Sequence, residues 1–366
     1  MLINPRAEIK NISVPIHGGI DPKELSEFNL NLENIIDFSS NINPFVESDE
    51  VLKKAQTKID TYPDTSCYRL KKVISEIYDL NPENIIVGNG STEIIYFICQ
   101  AYLNKKDRVI IPNPTFSEYE RASKIMGAEL VSYVLKEEDG FRIDANKLIE
   151  FLRTSNHKIA FLCNPNNPTG RYLRKEELKG ILEENKNILF VLDEAYLDSV
   201  KDPWDSIRFL KYKNLLILRS LTKFHGLAGL RIGYALSNSE IISNLEKVKP
   251  PWNVNSIAQE VAISVLLNNE EYLGKSRHEI LRSKDYLVRE IERMGKKCVP
   301  SETGFFMVKV DNATRLRLSL LRRGILVRDC ASFGLPNFIR LSVRPIDECE
   351  KLIKELKELD STEGSK

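Results

Sequence analysis

Four short segments of this chain combine residue types that could bind and work on a ligand. The first is Gly88-Asn89-Gly90-Ser91-Thr92-Glu93, which follows an apolar run and opens a helix-like stretch. Glycines let a backbone approach closely, and the first N–H groups of a helix point outward at its positive end. Gly90, Ser91 and Thr92 therefore read either as a phosphate cradle or as a capped turn with Ser91 as N-cap. They do not form the dinucleotide fingerprint, because Glu93 stands where its third glycine would be. The second segment, Cys163 to Gly170, holds two Asn-Pro steps and a Thr-Gly, a rigid non-helical turn. It is either purely structural or a place where the amides of Asn166 and Asn167 meet a ligand oxygen.

In the third, Asp193-Glu194-Ala195-Tyr196, a carboxylate ends an apolar run. Such a charge needs a partner, either a cationic ligand nitrogen or a helix N-terminus. The fourth runs from Arg219 through Ser220, Thr222 and Lys223 to Arg231. A lysine inside a Gly-rich apolar segment is unusual, since lysines are nearly always on wet surfaces. Burial would lower its pKa and make it a candidate Schiff-base nucleophile. Ser220, Thr222 and Arg231 add anion-binding groups around it, and the absence of GxxxxGK[ST] removes the P-loop reading.

These segments must be positioned by the elements before them. Residues 84–87, 108–111, 158–162, 187–192, 214–218 and 230–235 are short, β-rich and apolar on both faces, the pattern of buried parallel strands. Helix-like stretches at 91–102 and 174–184 alternate with them. The expectation is an α/β, doubly wound domain with its ligand site at the carboxyl ends of the strands. Beyond about residue 240 the texture changes. Residues 256–294 read as one long charged amphipathic helix, and strand-like 305–310 and 338–343 flank helix-like 313–322. The expected division is an arm over 1–45, a large ligand-binding domain over 46–250 and a smaller α+β domain over 251–366, with Pro250-Pro251 at the boundary.

Composition narrows the partners. Lys plus Arg (53) and Asp plus Glu (52) leave a net charge of +1, with no excess of cations for nucleic acid. No apolar window approaches the ~18 residues of a membrane span, and residues 1–14 show no signal peptide. The six cysteines form no CxxC pair and the four histidines no cluster, so a reduced, cytoplasmic, metal-free protein is expected.

A phosphate cradle, an amide, a carboxylate, a phenol and a lysine at one sheet edge suit a phosphorylated pyridine aldehyde. Pyridoxal 5′-phosphate needs a lysine to condense with, an anion at its ring nitrogen and donors at its phosphate. Asn167-Pro168-Thr169-Gly170, Asp193-Glu194-Ala195-Tyr196 and the segment from Ser220 to Arg231 resemble the signatures of fold-type I pyridoxal-phosphate enzymes of the class I/II aminotransferase superfamily. The resemblance covers about residues 35–345. It implies a large domain with a mostly parallel doubly wound sheet and a smaller α+β C-terminal domain. Tyr62-Pro63-Asp64-Thr65 and Val327-Arg328-Asp329 resemble the histidinol-phosphate aminotransferase branch. His17-Gly18-Gly19 with the run from Asp37 to Pro44 resembles the L-threonine-O-3-phosphate decarboxylases more closely.

The resemblance implies roles. Lys223 would bind the cofactor aldehyde, Asp193 would face the ring nitrogen, and Tyr196 and Asn167 would donate to the ring oxygen. Phe116 would stack on the ring, or else simply pack in the core. Gly90, Ser91, Thr92, Ser220, Thr222 and Arg231 would hold the cofactor phosphate, joined by Tyr62 from the neighbouring subunit of a homodimer. A small phosphorylated amino-acid substrate would meet Arg340 at its carboxylate or equivalent, Arg328 at its phosphate, and the arm residues His17 and Asn43. The plainer alternatives are surface ion pairs for the arginines and a capped turn for His17. The expected activity is decarboxylation of L-threonine O-3-phosphate to (R)-1-aminopropan-2-yl phosphate and CO2, in cobalamin biosynthesis. The alternative is transamination of histidinol phosphate with 2-oxoglutarate.

Overall fold

The computed structural model describes residues 3–10, 12–46, 52–53 and 59–363. Its strands in chain order are β1 (Ile36–Asp37), β2 (Ile85–Gly88), β3 (Arg108–Asn113), β4 (Glu129–Val134), β5 (Ile159–Cys163), β6 (Leu189–Asp193), β7 (Leu215–Ser220), β8 (Gly233–Leu236), β9 (Phe305–Lys309), β10 (Ile325–Leu326), β11 (Arg328–Asp329) and β12 (Phe338–Ser342). Seven of them form the main sheet, in the order β2-β8-β7-β6-β5-β3-β4. Successive strand residues point to opposite faces, and both faces are dry. Ala160, Leu162, Phe190, Leu192 and Ile217 pack on one side, and Ile159, Phe161, Val191, Leu216 and Leu218 on the other. Helices Lys175–Glu184 and Ser256–Leu267 cover the first face, and Ser91–Tyr102 and Ser239–Glu246 the second.

Two features depart from the sequence reading. The 230–235 run does not make a parallel strand: β8 is antiparallel to both β7 and β2. A parallel return needs a crossover, usually a helix, and the 221–232 loop holds only the 3-10 turn Ala228–Leu230. That loop carries Lys223, so the local topology serves the site. The edge strand β4 was not expected, because its residues alternate between exposed and half-buried and include Glu129 and Ser132.

A second layer follows. Strands β11, β12 and β9 form an antiparallel sheet in that order, and β1 pairs in parallel with β10. The segment read as an arm thus contributes a strand here, and Phe38 is fully buried with Leu287, Phe306 and Leu341. The expected single helix over 256–294 is two, Ser256–Leu267 and Asn269–Arg293, broken at Asn268. The first packs Val261 and Val265 on the main sheet, and the second packs Leu287 and Ile291 in the small core. No helix among the described residues is long and apolar enough to cross a membrane. The six cysteines are buried free thiols.

Candidate active site

The carboxyl ends of β3, β5, β6 and β7 open into a cavity of about 480 Å3, closed from the other side by the arm and by β11 and β12. Lys223, Asp193, Tyr196 and Asn167 line it together. The expected phosphate ligands Ser91, Thr92, Ser220, Thr222 and Arg231 line it as well, and so do Phe116, His17, Arg328 and Arg340.

Lys223 lies in the loop after β7, where β8 turns back. Burial, then the cations Arg340 and Arg231, push its ammonium down to about 8 against the opposing pull of Asp193. A fraction of the amine is therefore neutral and nucleophilic near physiological pH, where an ordinary lysine has almost none. Asp193 ends β6 and is 3% exposed. Burial raises its carboxyl, while Tyr119 Oη–H (2.7 Å to Oδ2) and the Ala195 N–H (3.0 Å to Oδ1) pull it back. Burial pushes the Tyr196 phenol up to about 12, so it remains a proton donor. Asn167 accepts from Arg340 Nη1–H through Oδ1, so the NH2 end of the amide is its donor.

The anion cradle forms where β2 meets helix Ser91–Tyr102. Gly90 is the N-cap at φ 80°, with no side-chain cap, so the first N–H groups of the helix stay open. A Cβ on Gly90 would come within 2.8 Å of Arg231 Nη2. Only glycine leaves this cleft clear, which fits a phosphate held by backbone and hydroxyl donors. Ser220 Oγ and Thr222 Oγ1 lie 2.7 Å apart beside it. The residues present thus fit pyridoxal 5′-phosphate: an amine of lowered pKa, a buried carboxylate and an anion cradle in one cavity.

The opposite wall is cationic. Arg328 and Arg340 are directly paired in the β11–β12 register, which sets both guanidiniums on one face. Both are buried, and burial lowers both, Arg328 to about 10. Arg340 donates to Asn167 Oδ1 and the Ser39 carbonyl. Arg328 donates to the carbonyls of His17 (3.0 Å) and Ile16 (2.6 Å) and to Ser332 Oγ (2.7 Å). Among the described residues the hydrogen bonds of both go to neutral acceptors, and Asp329 and Asp37 act on them only from beyond ion-pair distance. Neither arginine forms a surface ion pair among the described residues.

Three expected residues lie off the cavity wall. Asn43 is spent on the fold: its Nδ2–H donates to the Phe224 carbonyl, its Oδ1 accepts from Phe45 N–H, and its own N–H donates to the Lys223 carbonyl. It ties the arm to the lysine loop and lies off the cavity wall. Tyr62 is exposed and stacks on Trp252 at 4.5 Å, away from the cavity of its own chain. Gly90 shapes the cradle without lining it. Asn166 is also structural, bonded to Pro114, Thr115 and Thr169. His17 Nε2 is bonded to Glu118 Oε1 at 3.0 Å and is not free for a phosphate.

Sequence reasoning missed Tyr119, Glu118, Tyr96 and Asn41. Tyr119 holds Asp193, and Glu118 is a buried carboxylate on the cavity wall. Asn41 reaches Tyr196 Oη at 3.3 Å. Tyr119 follows Phe116 in the run after β3, and its signal was the need of Asp193 for a buried donor.

Residues 33–356 match the family model described as aminotransferase class I and II, and the chain belongs to that family. It is a fold-type I pyridoxal-phosphate enzyme. A histidinol-phosphate aminotransferase of Moorella thermoacetica is 35% identical over 92% of this chain and 89% of its own length. Eight such curated relatives, 33–38% identical, all bear that name. The solved L-threonine-O-3-phosphate decarboxylase of Porphyromonas gingivalis is 27% identical, with a TM-score of 0.78 over 88% of this chain and 99% of its own. The histidinol-phosphate aminotransferase of Sinorhizobium meliloti, solved with pyridoxal-5′-phosphate, shares the fold at a TM-score of 0.86 over 99% of both chains, at 22% identity. These names overturn the expected threonine-phosphate decarboxylation and its place in cobalamin biosynthesis. The arm motif that suggested it has a structural explanation. Asp37 accepts from Ser39 and Ser40, and this turn presents the Ser39 carbonyl to Arg340.

Proposed function

We propose that this protein transfers the amino group of histidinol phosphate to 2-oxoglutarate, using pyridoxal 5′-phosphate. The observation that carries the reading is the pair of buried guanidiniums, Arg328 and Arg340, which line one cavity with Lys223 and spend their hydrogen bonds on neutral acceptors. Both expected substrates are dianions, and a site that alternates between a phosphate monoester and a dicarboxylate needs cations with no resident anion. The names of the relatives support the same substrate.

When bound, the cofactor supplies an aldehyde that condenses with amines and a ring that accepts electrons from the carbon losing its proton. Lys223 Nζ would hold the aldehyde and, once freed, move the proton at the substrate carbon, a role suited to its lowered pKa of about 8. Asp193 would keep a proton on the ring nitrogen. Tyr196 and Asn167 would donate to the ring oxygen, and Phe116 would pack on the ring. Ser91, Thr92, Ser220, Thr222 and Arg231 would hold the cofactor phosphate in the cradle that Gly90 shapes. Tyr62, 79% exposed, would join that anchor from the partner subunit of a homodimer. The main-sheet unit carries the cofactor, and the unit around β9, β11 and β12 carries the substrate arginines.

Incubation of cofactor-loaded enzyme with histidinol phosphate and 2-oxoglutarate tests this. Glutamate should form in step with loss of the amine, and only when both substrates are present. No glutamate under these conditions would overturn the proposal.

A further inference from the structure

The cavity wall opposite the arginines carries a group that the proposed chemistry does not use. Glu118 sits in the first turn of helix Glu118–Ile125, its side chain only 3% exposed, and it lines the cavity. Its Oε2 accepts from Tyr96 Oη–H at 2.7 Å. Its Oε1 accepts from His17 Nε2–H at 3.0 Å, with Arg121 Nη1 3.7 Å away. Burial raises this carboxyl, but the bonds from His17 and Tyr96 outweigh it and hold the group below its ordinary range. A buried carboxylate on a cavity wall is costly unless its oxygens are satisfied. The donor at Oε1 is a borrowed one: His17 belongs to the arm, and its side chain is 48% exposed.

His17 also fills a slot of definite shape. Its ring leans on Phe116, with centroids 5.9 Å apart at 47°. The slot therefore offers an aromatic face and an anionic acceptor, the two contacts that suit an imidazole. The same arm residue gives its carbonyl to Arg328. A substrate phosphate that takes the Arg328 guanidinium displaces that carbonyl, and the His17 ring is drawn off Glu118 with it. Oε1 is then left with Arg121 alone, beyond hydrogen-bond distance.

Resting on the reading of histidinol phosphate as substrate, we propose that Glu118 is the specificity residue that accepts a hydrogen bond from the substrate imidazole, and that His17 holds that place until substrate arrives. Substrate thus replaces the arm at two points at once, phosphate for carbonyl at Arg328 and imidazole for imidazole at Glu118. Tyr96, its phenol raised to about 12 by burial and by Glu118, remains a donor throughout and fixes the carboxylate.

The test uses the cofactor-loaded enzyme with histidinol phosphate and with 2-aminopropyl phosphate, which keeps the amine and phosphate but lacks the ring. Affinity is read from the cofactor absorbance and from kcat and KM. Glu118→Gln should lower the preference for the ring-bearing substrate about tenfold or more, as a loss of binding, since a neutral amide is the weaker acceptor. His17→Ala should act in the opposite direction, tightening histidinol phosphate several-fold without an equal gain for the ringless compound. Equal changes for both compounds in Glu118→Gln, or weaker histidinol phosphate binding in His17→Ala, would overturn the inference. If Glu118→Gln does not fold, the sign of the His17→Ala effect decides alone, because that side chain is half-exposed. Absence of any aminotransfer from histidinol phosphate by the unaltered enzyme sinks the parent reading. Normal transfer with an unchanged ring preference in the variants sinks only this one.

Discussion

Replacing Arg328 by alanine removes a guanidinium whose present bonds can be set against the ones a phosphate would make. It now donates to two arm carbonyls, at 2.6 and 3.0 Å, and to Ser332 Oγ at 2.7 Å. A phosphate monoester near neutral pH carries close to two negative charges and would take the two donors that hold the carbonyls. Two charge-assisted bonds contribute roughly 3–6 kcal/mol. The carbonyls lie on an arm segment where Ile16 is 68% exposed, so they return to water. The bonds they lose also come from a charged donor, so they offset part of the gain. Taking the surplus as the worth of one charge-assisted bond gives roughly 1.5–3 kcal/mol, or about ten- to a hundredfold in affinity. Steady-state kinetics with histidinol phosphate and with histidinol reads it directly. KM for the phosphorylated substrate should rise by that factor, while histidinol changes by less than about threefold, the size of a minor arm effect. Arg328→Lys should fall between, because an ammonium cannot present the planar fork. Equal losses for the two substrates would show that Arg328 secures only the arm, and the reasoning would fail.

Four further outcomes are expected. Lys223→Ala should lower turnover by about three orders of magnitude or more, because the same amine binds the aldehyde and moves the proton; near-normal turnover would remove Lys223 from the site. The Lys223 amine is depressed to about 8, so it is charged below that pH and neutral above it. The rate at which apoenzyme captures cofactor should accordingly rise with pH through about 8 and then level off, and a flat stopped-flow profile from pH 6 to 10 would contradict this. Asp193→Asn should keep the fold, checked by circular dichroism, and slow catalysis by orders of magnitude, since an amide cannot hold the ring nitrogen protonated. Tyr119→Phe removes a buried donor to Asp193 worth about 1.5–3 kcal/mol. The Asp193 carboxyl should rise further, so cofactor affinity near neutral pH should drop roughly tenfold or more and recover as pH is raised; an unchanged cofactor titration would rule this role out.

What could be read in the sequence followed from local constraints. The strands β5, β6 and β7 are apolar on both faces, so their existence and burial were legible, as were the polar segments that end them. Asp193, Lys223 and Asn167 stood out because a carboxylate, an amine and an amide in apolar or rigid surroundings each need a reason. The edge strand β4 and the reversed β8 were not legible. An edge strand with one wet face loses the continuous apolar signal, and the direction of β8 depends on the length and content of the loop before it.

The substrate side of the cavity shows where local reading ends. Glu118 lies in Ser117-Glu118-Tyr119-Glu120, which by itself looks like an ordinary acidic first turn of an exposed helix, and Glu120 does face solvent. The Glu118 carboxylate is buried and bonded by Tyr96 and by His17, which the arm brings from 101 positions away. The arm can lie there because Gly18 passes so close to the Ser39 carbonyl that a Cβ would sit 2.5 Å from it. Ser39 in turn is fixed by Asp37 and bonds Arg340. His17-Gly18-Gly19 and the run that begins at Asp37 are therefore two sides of one contact. Read as isolated motifs they pointed to a phosphorylated threonine; read as a packed unit they explain how the arm covers an acceptor shaped for an imidazole. The physical content of both motifs is closure over the arginines, which any phosphorylated substrate of this family could use. Discrimination between substrates must then come from the wall that contacts the remainder of the molecule, and among the described residues that wall is Phe116, Tyr96 and Glu118.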